Sequence, residues 1–254
     1  MVQISAHCDH SDDAKPVTYE SYSAALTSGA EYAELDIRKT ADNVLVVYHD
    51  ARTGRGGPLV GQLGYPELCG RVGYQVPRVD EVMALIAGRL LGHLDLKETG
   101  YEAEVIGLAS SILGAGNFVA TTLEDVSVAT IKRMFPEVRT ALSLGRSLGE
   151  VPRRQWAAIR HSELYPLRRI RACGADSVAV NFRLARLGVA KACYQQGVGI
   201  MVWTVDGDPL IDQFLLDRRI DVLITNRPQH ATRRRAALGL GVPGRLGQSA
   251  VSPV

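Results

Sequence analysis

Acidic side chains interrupt two segments of the sequence that otherwise look like buried strands. Glu34 and Asp36 fall within the apolar segment Tyr32–Ile37, and Asp95 falls near the end of a later one. Residues two positions apart in a strand share a face, so Glu34 points with Asp36, and Asp95 points with Lys97. Burying such charges is costly unless a counter-charge or a metal ion compensates them.

Carboxylate oxygens are hard ligands, which suit Mg²⁺ or Ca²⁺ better than zinc. We therefore predict that Glu34, Asp36 and Asp95 bind a divalent cation, Mg²⁺ or Ca²⁺. The alternative is that the carboxylates form salt bridges with Lys97, Arg38 or Lys39.

Two histidines are candidates for proton transfer beside this cluster. His7 follows the first strand-like segment, and His49 follows a short segment after Asp36. Imidazole has an unperturbed pKa of about 6.5, so a pair of histidines can divide the work, one accepting a proton and one donating it. We predict His7 and His49 as this pair, with their order open.

Eight strand-like segments alternate with helix-like stretches along the chain. They are Val2–Ala6, Tyr32–Ile37, Leu90–Leu96, Phe118–Thr122, Thr140–Leu144, Ser177–Asn181, Gly199–Thr204 and Asp221–Thr225. This pattern predicts an α/β fold, a TIM-type (β/α)₈ barrel, in which the carboxyl ends of the strands carry the active site. An open doubly wound sheet is the alternative, but no Gly-x-Gly-x-x-Gly motif follows the first strand.

The barrel is expected to be a single domain over residues 1–231. A loop-like insertion, Ala51–Val76, follows the second strand, and the extra segment Val44–Tyr48 lies just before it. From Thr232 to residue 254 the sequence is rich in Arg, Gly, Ser and Pro, which predicts a flexible C-terminal tail.

Composition narrows the functional class. A net charge of +2 gives no sign of nucleic-acid binding, and we interpret the arginine runs at 168–171 and 233–235 as solvated surface. The four cysteines lack Cys-x-x-Cys spacing, so neither a zinc site nor a redox pair is indicated. We expect no integral membrane segment and no signal peptide, and therefore a cytoplasmic protein that acts on a small molecule.

Several segments, in the same order, resemble the glycerophosphodiester phosphodiesterase family. They are AH at Ala6-His7, GAEYAELDIRKTADNVLVVYHD at Gly29–Asp50, HLDLK at His93–Lys97, VWTVD at Val202–Asp206 and ITNRP at Ile224–Pro228. The resemblance implies a TIM-type barrel that hydrolyses glycerophosphodiesters to glycerol 3-phosphate and an alcohol.

The resemblance also implies roles for individual residues. Glu34 and Asp36 match metal ligands, and His7 and His49 match the catalytic histidine pair. Three more positions match residues that contact the phosphate or the substrate: Lys97, Arg55 and Trp203. For Trp203, packing inside the barrel is an equal alternative.

Four departures from the family pattern are visible. Cys8-Asp9 replaces Arg-Gly after the first histidine, so the phosphate-binding arginine of the family is missing. The Pro-Glu-Asn-Thr motif is absent, Asp95 replaces a glutamate, and Asn226 replaces an aspartate. Two alternatives therefore stay open: a phosphotransferase like the sphingomyelinase D-like phospholipases, which form a cyclic phosphate, and a catalytically silent barrel used for binding.

Overall fold

The computed structural model of the chain describes residues 1–7, 17–149 and 151–241. Its strands, in chain order, are β1 (Gln3–Ala6), β2 (Tyr32–Lys39), β3 (Leu45–Val47), β4 (Leu91–Leu96), β5 (Phe118–Thr122), β6 (Arg139–Leu144), β7 (Ser177–Asn181), β8 (Gly199–Trp203) and β9 (Val222–Thr225).

Eight of these strands close into a parallel barrel, which confirms the predicted fold. The strands follow one another around the barrel in chain order, and β1 pairs with both β2 and β9 to complete the circle. The ninth strand, β3, is the predicted extra segment, and it pairs antiparallel with the end of β2. The pairing of β2 with β4 sets Glu34 opposite His93 and Asp36 opposite Asp95. This register places the acidic residues of the two strands side by side.

Helices surround the barrel and bury their apolar sides against its outer face. Their bounds are Tyr19–Ala25, Tyr65–Val72, Val79–Ile86, Glu102–Ile112, Asp125–Met134, Arg153–Leu164, Leu167–Cys173, Asp208–Leu216 and Pro228–Ala237, with three consecutive helical pieces at Phe182–Leu184, Ala185–Val189 and Ala190–Tyr194. No helix in the described part of the chain is both long enough and apolar enough to cross a membrane.

The insertion after the second strand is present, but it is not an irregular loop as predicted. It contains a 3₁₀ turn, Val60–Gln62, and the helix Tyr65–Val72. Apolar residues from both pack with Val46 of β3 into a small core of their own. The many Gly and Arg residues of this segment favour a loop prediction. The helix nevertheless forms, because a few apolar residues are enough to anchor one short helix to a strand.

The predicted start of the C-terminal tail, Thr232, is too early in the sequence. The helix Pro228–Ala237 runs across Thr232, and Arg235 within it is only 2% exposed. The guanidinium of Arg235 donates from both terminal nitrogens to Glu31, at 2.9 Å each, and Glu31 also accepts from the backbone N–H of Ile4 at 2.7 Å. This helix therefore ties the end of the barrel to its first strand. Residues 242–254 lie outside the described part of the chain.

The Arg235–Glu31 pair gives a stability prediction. Replacing Arg235 with alanine leaves the Glu31 carboxylate without its guanidinium partner, and loss of one member of a buried pair costs about 3–5 kcal/mol. We expect the free energy of unfolding, measured by urea denaturation, to fall by that amount.

The matched control is Arg234→Ala, which removes a half-exposed arginine paired with Asp212 on the same helix. Exposed pairs contribute about 1 kcal/mol or less, so this variant should lose little stability. Equal losses in the two variants would contradict the role of the buried pair.

Candidate active site

Three carboxylates from neighbouring strands converge at the carboxyl end of the barrel. One oxygen from each of Glu34, Asp36 and Asp95 lies within 4.8 Å of the others. Glu34 and Asp36 are buried, and Asp95 is partly buried. The alternation along β2 and β4 and the parallel register between them produce this cluster, as the sequence predicts.

Lys97 neutralises part of the cluster. Its Nζ lies 2.7 Å from Asp36 Oδ1 and 2.6 Å from Asp95 Oδ2. The basic residues that follow Asp36 do not take part, because Arg38 pairs with Glu98 and Lys39 with Glu104. The salt-bridge alternative thus accounts for two of the three carboxylates.

Glu34 is the carboxylate that no ammonium or guanidinium neutralises among the described residues. The nearest groups that can carry positive charge are two imidazoles, His93 Nδ1 at 3.6 Å and His7 Nε2 at 4.0 Å from Glu34 Oε2. Glu34 Oε2 is buried and has no hydrogen-bond partner among the described residues, whereas Asp36 Oδ1 is buried with the ammonium of Lys97 2.7 Å away. A buried carboxylate oxygen without a hydrogen bond, as in Glu34, fits a divalent cation, which the three carboxylates could hold.

The pKa values of the cluster diverge because the environments of its members differ. Burial, together with Asp36 and Asp95 nearby, raises the pKa of Glu34 to about 8. Burial would also raise the pKa of Asp36, but the ammonium of Lys97 outweighs it and, with His49 and His7, lowers the value to about 2. Burial alone would lower the pKa of Lys97, but its ion pairs with Asp36 and Asp95 outweigh burial and raise it. Without a metal ion, Glu34 is therefore largely protonated at neutral pH while Asp36 is ionised.

Metal-free Glu34 is expected to make stability depend on pH. Its pKa in the folded chain, about 8, lies above the 4.5 of an unperturbed glutamate, so its contribution is fully present below pH 4.5 and is lost as the pH rises through 8. In EDTA, Glu34→Gln should therefore melt at a higher temperature than the native chain at pH 8, by about 2–4 °C or more, and by less at pH 5. Thermal melts followed by circular dichroism at both pH values test this. A difference that is the same at both would contradict it.

A buried histidine that we did not predict holds Asp95 in place. Thr121 Oγ1 donates to Asp95 Oδ1 at 2.7 Å and accepts from His93 Nε2 at 3.1 Å, while Nδ1 of His93 lies 3.1 Å from Ser5 Oγ. Burial lowers the pKa of His93 to about 4, so the ring is neutral and its two nitrogens have opposite roles in this chain of bonds. His93 lies two positions before Asp95 in β4 and therefore on the same strand face. This spacing could have identified His93 as a residue of the site.

Asn226 orients His7. Its backbone N–H and its side-chain amide donate to the two carboxylate oxygens of Asp206, at 2.8 and 2.9 Å. The remaining amide oxygen then accepts from Nδ1 of His7 at 2.5 Å, which leaves Nε2 as the nitrogen that faces Glu34. An ionised aspartate side chain at position 226 could not donate to Asp206, so the asparagine, a departure from the family pattern, is what makes this side-chain hydrogen bond possible.

Arg38 holds the backbone of His49 near the cluster. Its Nε and Nη2 donate to the carbonyl oxygen of His49, at 3.1 and 2.8 Å. The His49 ring is half exposed, and its Nδ1 lies 2.9 Å from Asp50 Oδ1. His49 is also one of the groups that lower the pKa of Asp36. Arg38 was not predicted as a site residue, and its position two residues after Asp36 gave no indication that it would contact His49.

The other predicted site residues differ in their placement. Arg55 is exposed in the insertion, and no hydrogen bond or ion pair joins it to another described residue. Trp203 is half buried at the end of β8, where its Nε1 donates to the carbonyl oxygen of Ala179 at 2.9 Å. Its ring packs on the side chains that fill the barrel interior, so the packing role is visible and substrate contact stays a prediction. Cys8 and Asp9 lie outside the described residues.

A cavity of about 440 Å³ lies beside His7. Small residues of the helix Tyr19–Ala25 line one side, and Asn226, Arg227 and His230 line the other. It lies between the helices Tyr19–Ala25 and Pro228–Ala237, and none of the three clustered carboxylates lines it.

Comparison with known proteins points to one family. The model of the glycerophosphoryl diester phosphodiesterase family matches residues 10–230. A curated relative, the glycerophosphodiester phosphodiesterase of Caldanaerobacter subterraneus, is 23% identical over 245 residues, which cover 89% of this chain and 94% of the relative.

Solved structures share the fold. A glycerophosphodiester phosphodiesterase from Agrobacterium tumefaciens superimposes with a TM-score of 0.68 at 23% identity, covering 93% of this chain and 100% of that one. A phosphodiesterase from Oleispira antarctica, in complex with the product sn-glycerol-3-phosphate, has a TM-score of 0.69 at 18% identity and covers 92% of this chain and 96% of that one.

Proposed function

We propose, because the chain belongs to the glycerophosphoryl diester phosphodiesterase family, that it hydrolyses glycerophosphodiesters to glycerol 3-phosphate and an alcohol in a reaction that depends on Mg²⁺ or Ca²⁺. The Oleispira antarctica relative binds sn-glycerol-3-phosphate as its product, which supports this substrate class. We also propose that the protein acts in the cytoplasm, as expected from the sequence.

The observation that carries the proposal is the carboxylate cluster, in which Glu34 Oε2 is buried without a hydrogen bond. Glu34, Asp36 and Asp95 would hold the cation, which supplies Lewis-acid stabilisation of charge on a phosphoryl oxygen. Lys97 lies against two of these carboxylates and adds a positive charge on the same side. In the hydrogen-bonded chain, Thr121 and His93 limit the rotation of Asp95 and so preserve the spacing of the cluster.

The two histidines would move the protons. His7 Nε2, directed by the bond between Nδ1 and Asn226, would accept a proton from the attacking water. His49, held by Arg38 at its carbonyl oxygen, would protonate the departing alkoxide. Arg55 and Trp203 are proposed to contact the substrate at the rim.

The products of glycerophosphocholine turnover test this proposal. We expect ³¹P NMR to show glycerol 3-phosphate with Mg²⁺ or Ca²⁺ and no turnover with EDTA. A cyclic phosphate that accumulates would instead favour the phosphotransferase alternative. Tight metal binding without any turnover would favour the silent barrel.

A further inference from the structure

Basic residues are concentrated on one side of the barrel. Between the end of β6 and the start of β8, residues 145–198 contain 10 Lys and Arg against 3 Asp and Glu, a net charge of +7. The rest of the chain carries 19 basic against 24 acidic residues, a net charge of −5. The small overall charge thus conceals an uneven distribution of charge along the chain.

The helix Arg153–Leu164 in this region is poorly covered by the rest of the molecule. Its only buried residue is Glu163, which accepts from the backbone N–H groups of Gly145 and Arg146 at 2.8 Å each. Trp156 on the same helix is 37% exposed. Most helices in proteins are stabilised by burying an apolar face, so this helix presents an unusually open surface.

A second exposed segment contacts this helix. Ala185–Val189 packs against it, and Leu187 is 70% exposed. These two segments, together with the helical piece Phe182–Leu184, expose both cationic and apolar side chains. We call this surface the basic-aromatic patch; it consists of Arg153, Arg154, Trp156, Arg183, Arg186 and Leu187.

The cations of the basic-aromatic patch are not neutralised within the described chain. The guanidinium of Arg153 lies over the Trp156 ring, 5.8 Å from its centre. None of its four arginines forms an ion pair with a described residue, and Glu163, the acidic residue of the helix, is buried and paired with Arg160. The positive charge is therefore available to a partner.

The basic-aromatic patch lies toward the carboxyl end of the barrel. Arg183 comes two residues after the end of β7. The loop that leads from β6 to Arg153 contains Gly145, whose backbone lies against the Trp203 ring at the end of β8. This is the end that carries the carboxylate cluster.

We propose that the basic-aromatic patch docks the barrel onto an anionic lipid surface, with the active-site end turned toward the membrane. Arginines attract acidic headgroups, at about 1 kcal/mol for each one near the surface. Tryptophan and leucine beside them can enter the interface, as in amphipathic helices that lie on membranes. A polynucleotide would also attract the arginines, but it offers no apolar layer for Leu187.

Vesicle sedimentation tests the proposal. The native chain should sediment with vesicles of phosphatidylcholine and phosphatidylglycerol, but not with phosphatidylcholine alone, and 0.5 M NaCl should weaken binding because salt screens the charges. The triple variant Arg153→Glu/Arg154→Glu/Arg186→Glu should lower the partition coefficient at least tenfold.

The control is Arg89→Glu/Arg133→Glu/Arg218→Glu, which changes the net charge equally at exposed arginines outside the patch. It should bind clearly better than the patch variant. Both variants should keep the native circular dichroism spectrum and hydrolyse soluble glycerophosphocholine as the native chain does, so failure of the reaction and failure of docking are separate results.

Fluorescence gives a second measurement. The chain contains two tryptophans, and emission of Trp156 should shift to shorter wavelength on anionic vesicles, whereas Trp156→Phe should remove the shift. The proposal is wrong if the native chain does not bind anionic vesicles, or if the patch and control variants bind equally. It is also wrong if the patch mediates only self-association or nucleic-acid binding.

Discussion

Replacing Asp36 with asparagine is expected to lower kcat/KM for glycerophosphocholine by about 10³-fold, because metal-ion catalysis contributes several kcal/mol and each ~1.4 kcal/mol is a factor of ten. The variant keeps the shape of the side chain but removes one of the three negative charges at the proposed metal site. It also leaves Lys97 with a single carboxylate partner, Asp95. Affinity for Mg²⁺ or Ca²⁺, measured by calorimetry, should fall together with activity.

Glu67→Gln is the control for this substitution, because Glu67 is an exposed carboxylate on the insertion helix. It should keep native metal affinity and turnover. If Asp36→Asn retains the native metal affinity, or loses less than about tenfold in activity, the carboxylate cluster is not the metal site of this reaction.

His7→Ala is expected to lower kcat by about 10²-fold or more, the usual contribution of a general acid or base. The imidazole is positioned by Asn226 and faces Glu34, so its removal takes away the proton acceptor without deleting a carboxylate. Metal affinity should therefore change far less than kcat. Steady-state kinetics with saturating metal, together with calorimetry, separates the two effects.

His49→Ala should show a comparable loss of kcat, and His161→Ala should show none, because His161 is an exposed histidine whose ring contacts that of Tyr165 at a tilt of 45°. A loss well below 10²-fold in either catalytic variant, with metal binding intact, would remove that histidine from the proposed mechanism.

Local sequence patterns were sufficient for the barrel and for the carboxylates. Alternation within a strand puts Glu34 with Asp36, and the closed parallel order brings Asp95 beside them. Both consequences follow from strand geometry, whose side-chain period is two residues. The same reasoning applied to β4 would also have identified His93.

Partners that are distant in sequence could not be predicted in this way. Arg235 seemed to belong to a polar tail, because its partner Glu31 lies 204 positions earlier. Asn226 seemed to be a simple substitution, because its bond to His7 spans 219 positions. In both cases the polar residue is explained only by the closure of the barrel, which brings the two ends of the chain together.

A metal titration of the metal-free chain, followed both by calorimetry and by release of glycerol 3-phosphate from glycerophosphocholine, tests the central claim most directly. We expect no turnover before metal is added, and turnover that then rises with occupancy of one site at the same half-saturation. Asp36→Asn should lower both the metal affinity and the turnover, the turnover by about 10³-fold. Turnover that persists in EDTA, or metal binding that survives in Asp36→Asn while activity is lost, would contradict this claim.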